Sequence, residues 1–517
     1  MPPGIMSALT NLVPDPANQG IWVPRPAASV FTATQAAFSP GFISALFITG
    51  QYAYGMVSSA LNSGKDQPFA YDLIGGAFIS ISGITSANVP TSPLTSGAWQ
   101  PPTMDQVGIY ILVTHPGFNG SGNGYFGWIN VSNPLAPVWA SGNTAVNPLP
   151  SPATFVKQFN QRAFFVVAPL GLQPATYASD VLAPLTVTNP LILTYGDNRP
   201  LVALGVLGQQ NIFGGITQAL LIFKDNNIFQ LTGDWGPGGA IGTILLNSLN
   251  IAVGTIAPLS IVPTPRGVAF LSQDGFRIID WSMKISDPLG LGGVGVVVPF
   301  TQALVPSRVV AACNGQTIRA TTQNNAALGQ PFQEWVYDLE RKVWHGPHTF
   351  TANQIQRYGN SYVVAPIGLT GLWQSDIFPS VSSQYTENGV LLSWLWASAL
   401  ISNDGMYEKA IVNSTIYCSA GIAQQFTMSA QSASGASLSS VPVSPPVTAG
   451  SQWGSLTWGI GSWGSAIQQM SHAVVPWDQP LVFDRLRFTM QGFSSAGIAI
   501  GKMTIIAEEL EYLAVLS

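Results

Sequence analysis

"LLIFKDNNIFQLTGD", Leu220 to Asp234, sets two short apolar runs around four polar residues, Lys224, Asp225, Asn226 and Asn227. Such a pattern reads as a β-hairpin, because apolar β-formers pack as strand arms while Asn and Asp accept the backbone angles of a tight reversal. "GVAFLSQDGFRIID", Gly267 to Asp280, repeats the arrangement with Asp274 and Gly275 at the reversal, a stronger turn signal because both residues tolerate positive φ. One hairpin specifies little; a series specifies an architecture.

The series is present. "FVVAPLG" (Phe165 to Gly171) and "YVVAPIG" (Tyr362 to Gly368) nearly coincide, and each leads to an aromatic-x-Ser-Asp ending at Asp180 or Asp376. "AYDLIGGAF" (Ala70 to Phe78) and "VYDLERKVW" (Val336 to Trp344) share Tyr-Asp-Leu followed by an aromatic, and "WINVSNPLAPVW" (Trp128 to Trp139) is a looser third copy. In each, one strand ends, the chain reverses, and the aromatic of the next strand packs back on the same face. With "ALFITGQYAYGMV" and "GIYILVTH", these units mark repeats near residues 42, 107, 155, 216, 256 and 308 and a closing segment near 354. Their spacing suits four-stranded blades.

The fold expected is therefore all-β: a β-propeller of six to seven blades over residues 25–385, preceded by an extended N-terminal arm (1–24) and followed by a C-terminal β-sandwich domain (386–517). A repetitive β-sandwich array is the alternative. In the C-terminal part, "KAIVNSTIYCS", "QQFTMSAQSA", "FDRLRFTMQG" and "GIAIGKMTIIAEELE" alternate polar and apolar residues with the period of a half-buried strand. Between them lies a Gly-rich loop, 451–465, carrying Trp453, Trp458 and Trp463 at intervals of five, a spacing that belongs to neither helix nor strand.

Composition supports the all-β reading, with 53 Gly, 39 Pro and 15 Trp in 517 residues. Only 8% of residues are charged, against about a quarter in ordinary soluble domains. No Lys, Arg, Asp or Glu lies between Asp105 and Lys157 or between Lys409 and Asp478, so burial of those segments against sister copies is expected. A net charge of −5 argues against a protein that grips nucleic acid by neutralising phosphates. Two cysteines, Cys313 and Cys418, supply neither a disulfide framework nor a thiolate metal site. The longest apolar run, Val390 to Ile401, is about half what spans a bilayer, so no membrane insertion is expected.

Catalytic and metal chemistry is sparsely furnished. Of four histidines, His115, His345, His348 and His472, only His345 and His348 are neighbours, in "WHGPHTF", where Gly346 and Pro347 suggest a blade-end loop rather than a metal site. Asp72, Asp338, Asp180 and Asp376 recur at equivalent places, which raises a paired-carboxylate reading. A residue reused at each repeat is better explained as a hydrogen-bond acceptor in a turn. Lys224, Arg266, Arg277 and Arg319 are scattered and form no basic stripe visible in sequence. No cofactor, no metal and no enzyme activity are expected. The tryptophan loop is the one candidate contact site, for a partner subunit, a receptor, a glycan or a lipid surface.

Taken together, "NLVPDPANQGIWVPRPA" (Asn11 to Ala27), the repeated blade strands and "RLRFTMQG" near the C-terminus resemble the tail hub, nozzle or packaged-DNA stabilisation proteins of short-tailed bacteriophages. That resemblance implies a homo-oligomeric ring, usually hexameric, that continues the channel below portal and adaptor. It implies contacts with tail adaptor and portal-side proteins above and distal tail, spike or fibre proteins below. Double-stranded DNA would pass transiently without sequence recognition, and the protein would reside in the virion tail after assembly in the host cytoplasm. A carbohydrate- or receptor-binding propeller of the tail is the alternative.

Overall fold

A computed structural model describes residues 5–14, 22–38, 41–59, 64–92, 102–120, 122–168, 173–188, 191–196, 199–210, 216–233, 244–249, 252–290, 295–296, 305–323, 332–375, 386–387, 390–402, 409–420, 425–446, 471–477, 481–483, 485–493 and 498–509. Seven antiparallel sheets follow one another along the chain. Blade 1 is Gly41–Thr49, Tyr52–Ser59, Asp66–Asp72 and Ala77–Ile79; blade 2 is Thr103–Val107, Tyr110–Thr114, Phe126–Asn130 and Val138–Gly142. Blade 3 is Ala153–Phe159, Arg162–Val167, Ala175–Ala178 and Leu191–Thr194; blade 4 is Ala203–Gln210, Ile216–Phe223, Ile228–Thr232 and Leu245–Ser248. Among the described residues blade 5 has three strands, Val262–Thr264, Gly267–Ser272 and Gly275–Ile279; blade 6 is Val310–Cys313, Thr317–Gln323, Phe332–Asp338 and Val343–His348. Blade 7 takes Ala352–Tyr358, Ser361–Pro366 and Trp373–Ser375, and its fourth strand is Ser29–Val30 from the other end of the chain.

The sheets close into a seven-bladed propeller. The first strand of each blade packs on the first strand of the next, and Ala352–Tyr358 of blade 7 packs on Gly41–Thr49 of blade 1. The reason is visible in the second strands, which are apolar on both faces. Phe164 and Val166 enter the core shared with blade 4, whereas Ala163, Phe165 and Val167 enter the core shared with blade 2. Leu220 and Ile222 likewise face blade 3, and Leu221 and Phe223 face blade 5. A strand that alternates between two cores needs apolar residues at every position, which is why "AFFVV" and "LLIF" read as continuous runs. Residue 216, expected to begin a repeat, begins the second strand of blade 4 instead; the less apolar Ala203–Gln210 precedes it.

The C-terminal domain is a two-layer sandwich. One sheet runs in the order Gly295–Val296, Ile5–Thr10, Ser393–Ser398, Arg485–Phe493, Phe426–Ser432 and Ser437–Val443, with Ile401–Ser402 beside Arg485–Phe493. The other runs Leu12–Pro14, Trp22–Pro24, Ile498–Glu509, Lys409–Ala420 and Ser471–Val474, with Leu481–Phe483 beside Lys409–Ala420. Met428, Phe488 and Met490 of the first meet Ile416, Cys418 and Ile500 of the second in one core, and that core continues into blades 5, 6 and 7. The segment expected to be an extended arm thus supplies three strands to the sandwich: Ile5–Thr10 pairs with Ser393–Ser398, and Trp22 is in register with Ile500. Strands of three residues flanked by Pro carry too little period to announce themselves in sequence. Among the described residues no helix is long and apolar enough to cross a membrane.

Candidate functional site

In a four-stranded antiparallel blade, the turn after the first strand and the turn after the third lie at the same end. Around the ring these turns build one face of the propeller, and Asp72, Asp180 and Asp338 of the recurring aspartates sit there. Asp72 accepts hydrogen bonds from the backbone N–H of Ile74 (3.0 Å) and Gly75 (2.9 Å), and Gln51 donates to both of its oxygens at 3.1 Å. Asp338 accepts from Glu340 N–H (2.9 Å) and Arg341 N–H (2.8 Å) and from Arg341 Nη1 (2.8 Å). The Gly75 N–H and its neighbours hold the Asp72 carboxyl below the ordinary range. In the third copy Asn130 does the same work, accepting from Ser132 N–H at 3.0 Å.

A backbone bond repeats with them. The residue after the third strand donates its N–H to the first-to-second turn: Leu73 to Gln51 (2.9 Å), Val131 to Ile109 (2.8 Å) and Leu339 to Gln316 (3.0 Å). Asp180 follows the third strand of blade 3 and accepts from Thr188 through its N–H and hydroxyl. Asp274 pairs with Arg277, which lowers its pKa, and Gly275 takes φ +135° at the blade 5 reversal. Asp376, Trp453, Trp458, Trp463 and most of the glycine-rich stretch 233–243 lie outside the described residues.

The turn face is divided. On blades 1 to 3 its tips are apolar, with Ile74 72%, Leu135 68%, Leu182 57% and Ile109 46% exposed, so the sector cannot be counted as core. On blades 5 and 6 the tips are charged: Arg266, Glu340, Arg341 and Lys342.

A cavity of about 560 Å³ opens in the charged sector, bounded by blades 5, 6 and 7 and the linker that follows Trp22–Pro24. Arg25, Arg266, Arg319 and Arg341 line it together with His345 and His348. Here the reading of scattered cations is corrected for Arg266 and Arg319: the fold brings them to one cavity with two arginines that the sequence did not single out. They come from the linker after Trp22–Pro24, from a turn of blade 5 and from two places in blade 6, and only the folded propeller brings them to one space. Lys224 is placed elsewhere, buried, donating to the Tyr195 carbonyl at 2.6 Å.

Two of these arginines are firmly held. Arg319 makes a two-pronged pair with Glu334 (2.9 and 2.8 Å) and stands 5.5 Å over the Tyr362 ring, with Ser375 of blade 7 on its third nitrogen. Arg25 donates through Nε to Asn11 Oδ1 (2.9 Å) and lies over Phe350.

The histidine pair is on the fourth strand of blade 6, not in a blade-end loop. The ladder there skips a residue between Glu334 and Val336, and Gly346 at φ +129° occupies the irregular position, where a Cβ would meet the Glu334 carbonyl at 2.8 Å. Both rings are buried. Asn11 N–H donates to His348 Nδ1 at 2.9 Å, and His348 Nε2 lies 3.0 Å from His345 Nδ1. Burial pulls the His345 pKa down to about 3, with Asp338 opposing and Arg319 and Arg341 adding to the fall, and burial takes His348 well below its usual value. Two neutral rings in this chain have one consistent proton order: His348 carries its proton on Nε2 and gives it to His345 Nδ1, so the His345 proton is on Nε2. His115 is elsewhere, sealed between blades 1 and 2, where its Nε2 meets Asp66 Oδ2 (2.9 Å) and Ser44 Oγ donates to the same oxygen (2.6 Å).

No protein-family model matches the chain, and no curated protein matches it. Among solved structures it is similar to puromycin hydrolase at 11% identity and a TM-score of 0.40, over 86% of this chain and 62% of that one. It is also similar to the Pyrococcus horikoshii acylaminoacyl peptidase (9%, TM-score 0.37, 66% and 52%) and to the Phanerochaete chrysosporium exo-β-1,3-galactanase (12%, TM-score 0.28, 89% and 95%). The chain therefore spans less than two thirds of the length of puromycin hydrolase and of the acylaminoacyl peptidase. These three matches, each to a hydrolase, stand against the expectation that the chain is not an enzyme. Likeness of this degree transfers no activity, substrate or residue role to the present chain.

Proposed function

We propose that the chain is a structural subunit of a bacteriophage tail, a hub or nozzle ring of sister copies that retains packaged DNA and lets it pass on ejection. The observation that carries the proposal is the apolar sector on blades 1 to 3, where Ile74, Ile109, Leu135 and Leu182 stand exposed on adjacent turns of one face. A chain with 8% charged residues has little to keep such a sector soluble, and contact with another subunit removes it from water. The tail assignment itself rests on the resemblance of the N-terminal, central and C-terminal segments to tail hub and nozzle proteins. The acidic net charge of −5 suits a conduit that does not hold a passing duplex by counterion release.

Mass photometry of the purified protein tests the ring, and cryo-electron microscopy of particles tests its place. The expected result is a discrete multimer that Ile74→Lys with Leu135→Lys breaks into folded monomers. A protein that stays monomeric at every concentration and is missing from particles refutes the reading.

A further inference from the structure

The cavity bounded by blades 5, 6 and 7 plays no part in that reading, yet it gathers an unusual share of the chemistry of the chain. Four of its eleven arginines line this one space, and no lysine does. The walls also carry Asn314, Gln316 and Asn360 from the first-to-second turns of blades 6 and 7, and apolar surface from Val13, Pro14 and Val336. Two donors are uncommitted. Arg266, exposed at the rim, makes no side-chain hydrogen bond or ion pair among the described residues. His345 lines the cavity, its Nδ1 is engaged by His348, and its Nε2 has no partner among the described residues.

From this arrangement we propose that the cavity binds a small organic oxyanion, a molecule with a phosphate or carboxylate group and an apolar or sugar-like body. The volume suits such a ligand, since pockets of about 300–1,000 Å³ hold small molecules. Arginine presents a planar fork that matches carboxylate and phosphate geometry, and charge-assisted bonds to it are strong when partly desolvated. The relay from Asn11 through His348 leaves His345 offering an N–H, a donor that recognises an oxygen without adding charge. Arg319 is fixed by Glu334 and Ser375, and Arg25 by Asn11, so the basic wall is positioned before any ligand arrives. Glu340 and Asp338 also line the mouth; Asp338 is engaged by Arg341 and by its own turn. They select against bulky polyanions and favour one oxyanion group per ligand.

Isothermal titration calorimetry with inorganic phosphate, citrate and adenosine 5′-monophosphate, each against chloride of equal ionic strength, tests the site. The three probes separate a bare phosphate, a carboxylate and a phosphate with an organic body. Saturable one-to-one binding of at least one probe is expected, weakened about tenfold by Arg266→Ala, the loss of one charge-assisted bond. Arg199→Ala removes the same charge from an exposed pair with Asp225 on blade 4 and leaves affinity unchanged. The proposal is overturned if no probe saturates, if Arg266→Ala changes affinity less than about threefold, or if Arg199→Ala weakens binding as much. Both arginines lie in exposed turns, and unchanged circular dichroism verifies the fold.

Discussion

At the scale of single residues, the sharpest commitment is the Arg319–Glu334 pair, with 2% and 1% of the two side chains exposed. Removing one member leaves a charge in the interior without its counter-ion, a loss of about 3–5 kcal/mol. Glu334→Gln is expected to lower stability by that order in urea unfolding, whereas Arg199→Ala, in an exposed pair, stays within about 1 kcal/mol. The buried histidines set an acid limit. In the folded chain both stay neutral far below the usual histidine value, so from about pH 6.5 downward, to about 3 for His345, the unfolded chain binds protons that the folded one refuses. Stability is therefore full above that window and falls as pH drops through it, by up to about 1.4 kcal/mol per pH unit for each ring. Urea midpoints taken from pH 7 to 4.5 should fall more steeply for the wild type than for a His345→Gln, His348→Gln variant; equal slopes would contradict this. Cys313 and Cys418 are buried, and burial raises both thiols, Cys418 to about 11. Neither should react with a thiol reagent until the chain unfolds. Asp72 and Asp338 were legible as turn acceptors because the Tyr-Asp-Leu repeat fixes their place at a strand end. The arginine cavity was illegible, because Arg25, Arg266, Arg319 and Arg341 share no period and meet only in three dimensions.

At the scale of strands and hairpins, the sequence was most readable where one element faces two cores. "LLIF" gives Leu221 to the core with blade 5 and Leu220 to the core with blade 3, so either truncation empties a packed site. Leu221→Ala is expected to cost about 2–5 kcal/mol, while Ile74→Ala, at an exposed turn tip, costs within about 0.5 kcal/mol. Chemical denaturation of both variants checks the contrast. The sandwich strands were legible for a complementary reason: Arg485–Phe493 alternates buried and open positions through its middle, a period-two signal with one core. What stayed hidden were strands defined by their partners. Ser29–Val30 is two residues long and is a strand only because Trp373–Ser375 offers it an edge.

At the scale of the molecule, the N-terminal segment meets later strands twice, once in blade 7 and once in the sandwich. The propeller and the sandwich share a continuous core through Trp335, Trp344, Trp394 and Phe426, so they should not melt independently. Differential scanning calorimetry is expected to give one transition for both; two separated peaks would contradict the shared core. The pairing of Ser29–Val30 with Trp373–Ser375 also fixes an order of events during biosynthesis. The early strand emerges from the ribosome long before its mate is translated, and at roughly 5–20 residues per second it waits roughly 20–70 s. Throughout that interval the nascent polypeptide is an arc with two unsatisfied flanks. Ribosome-bound chains arrested before Trp373 should be cut readily by protease, and release of the finished chain should confer resistance.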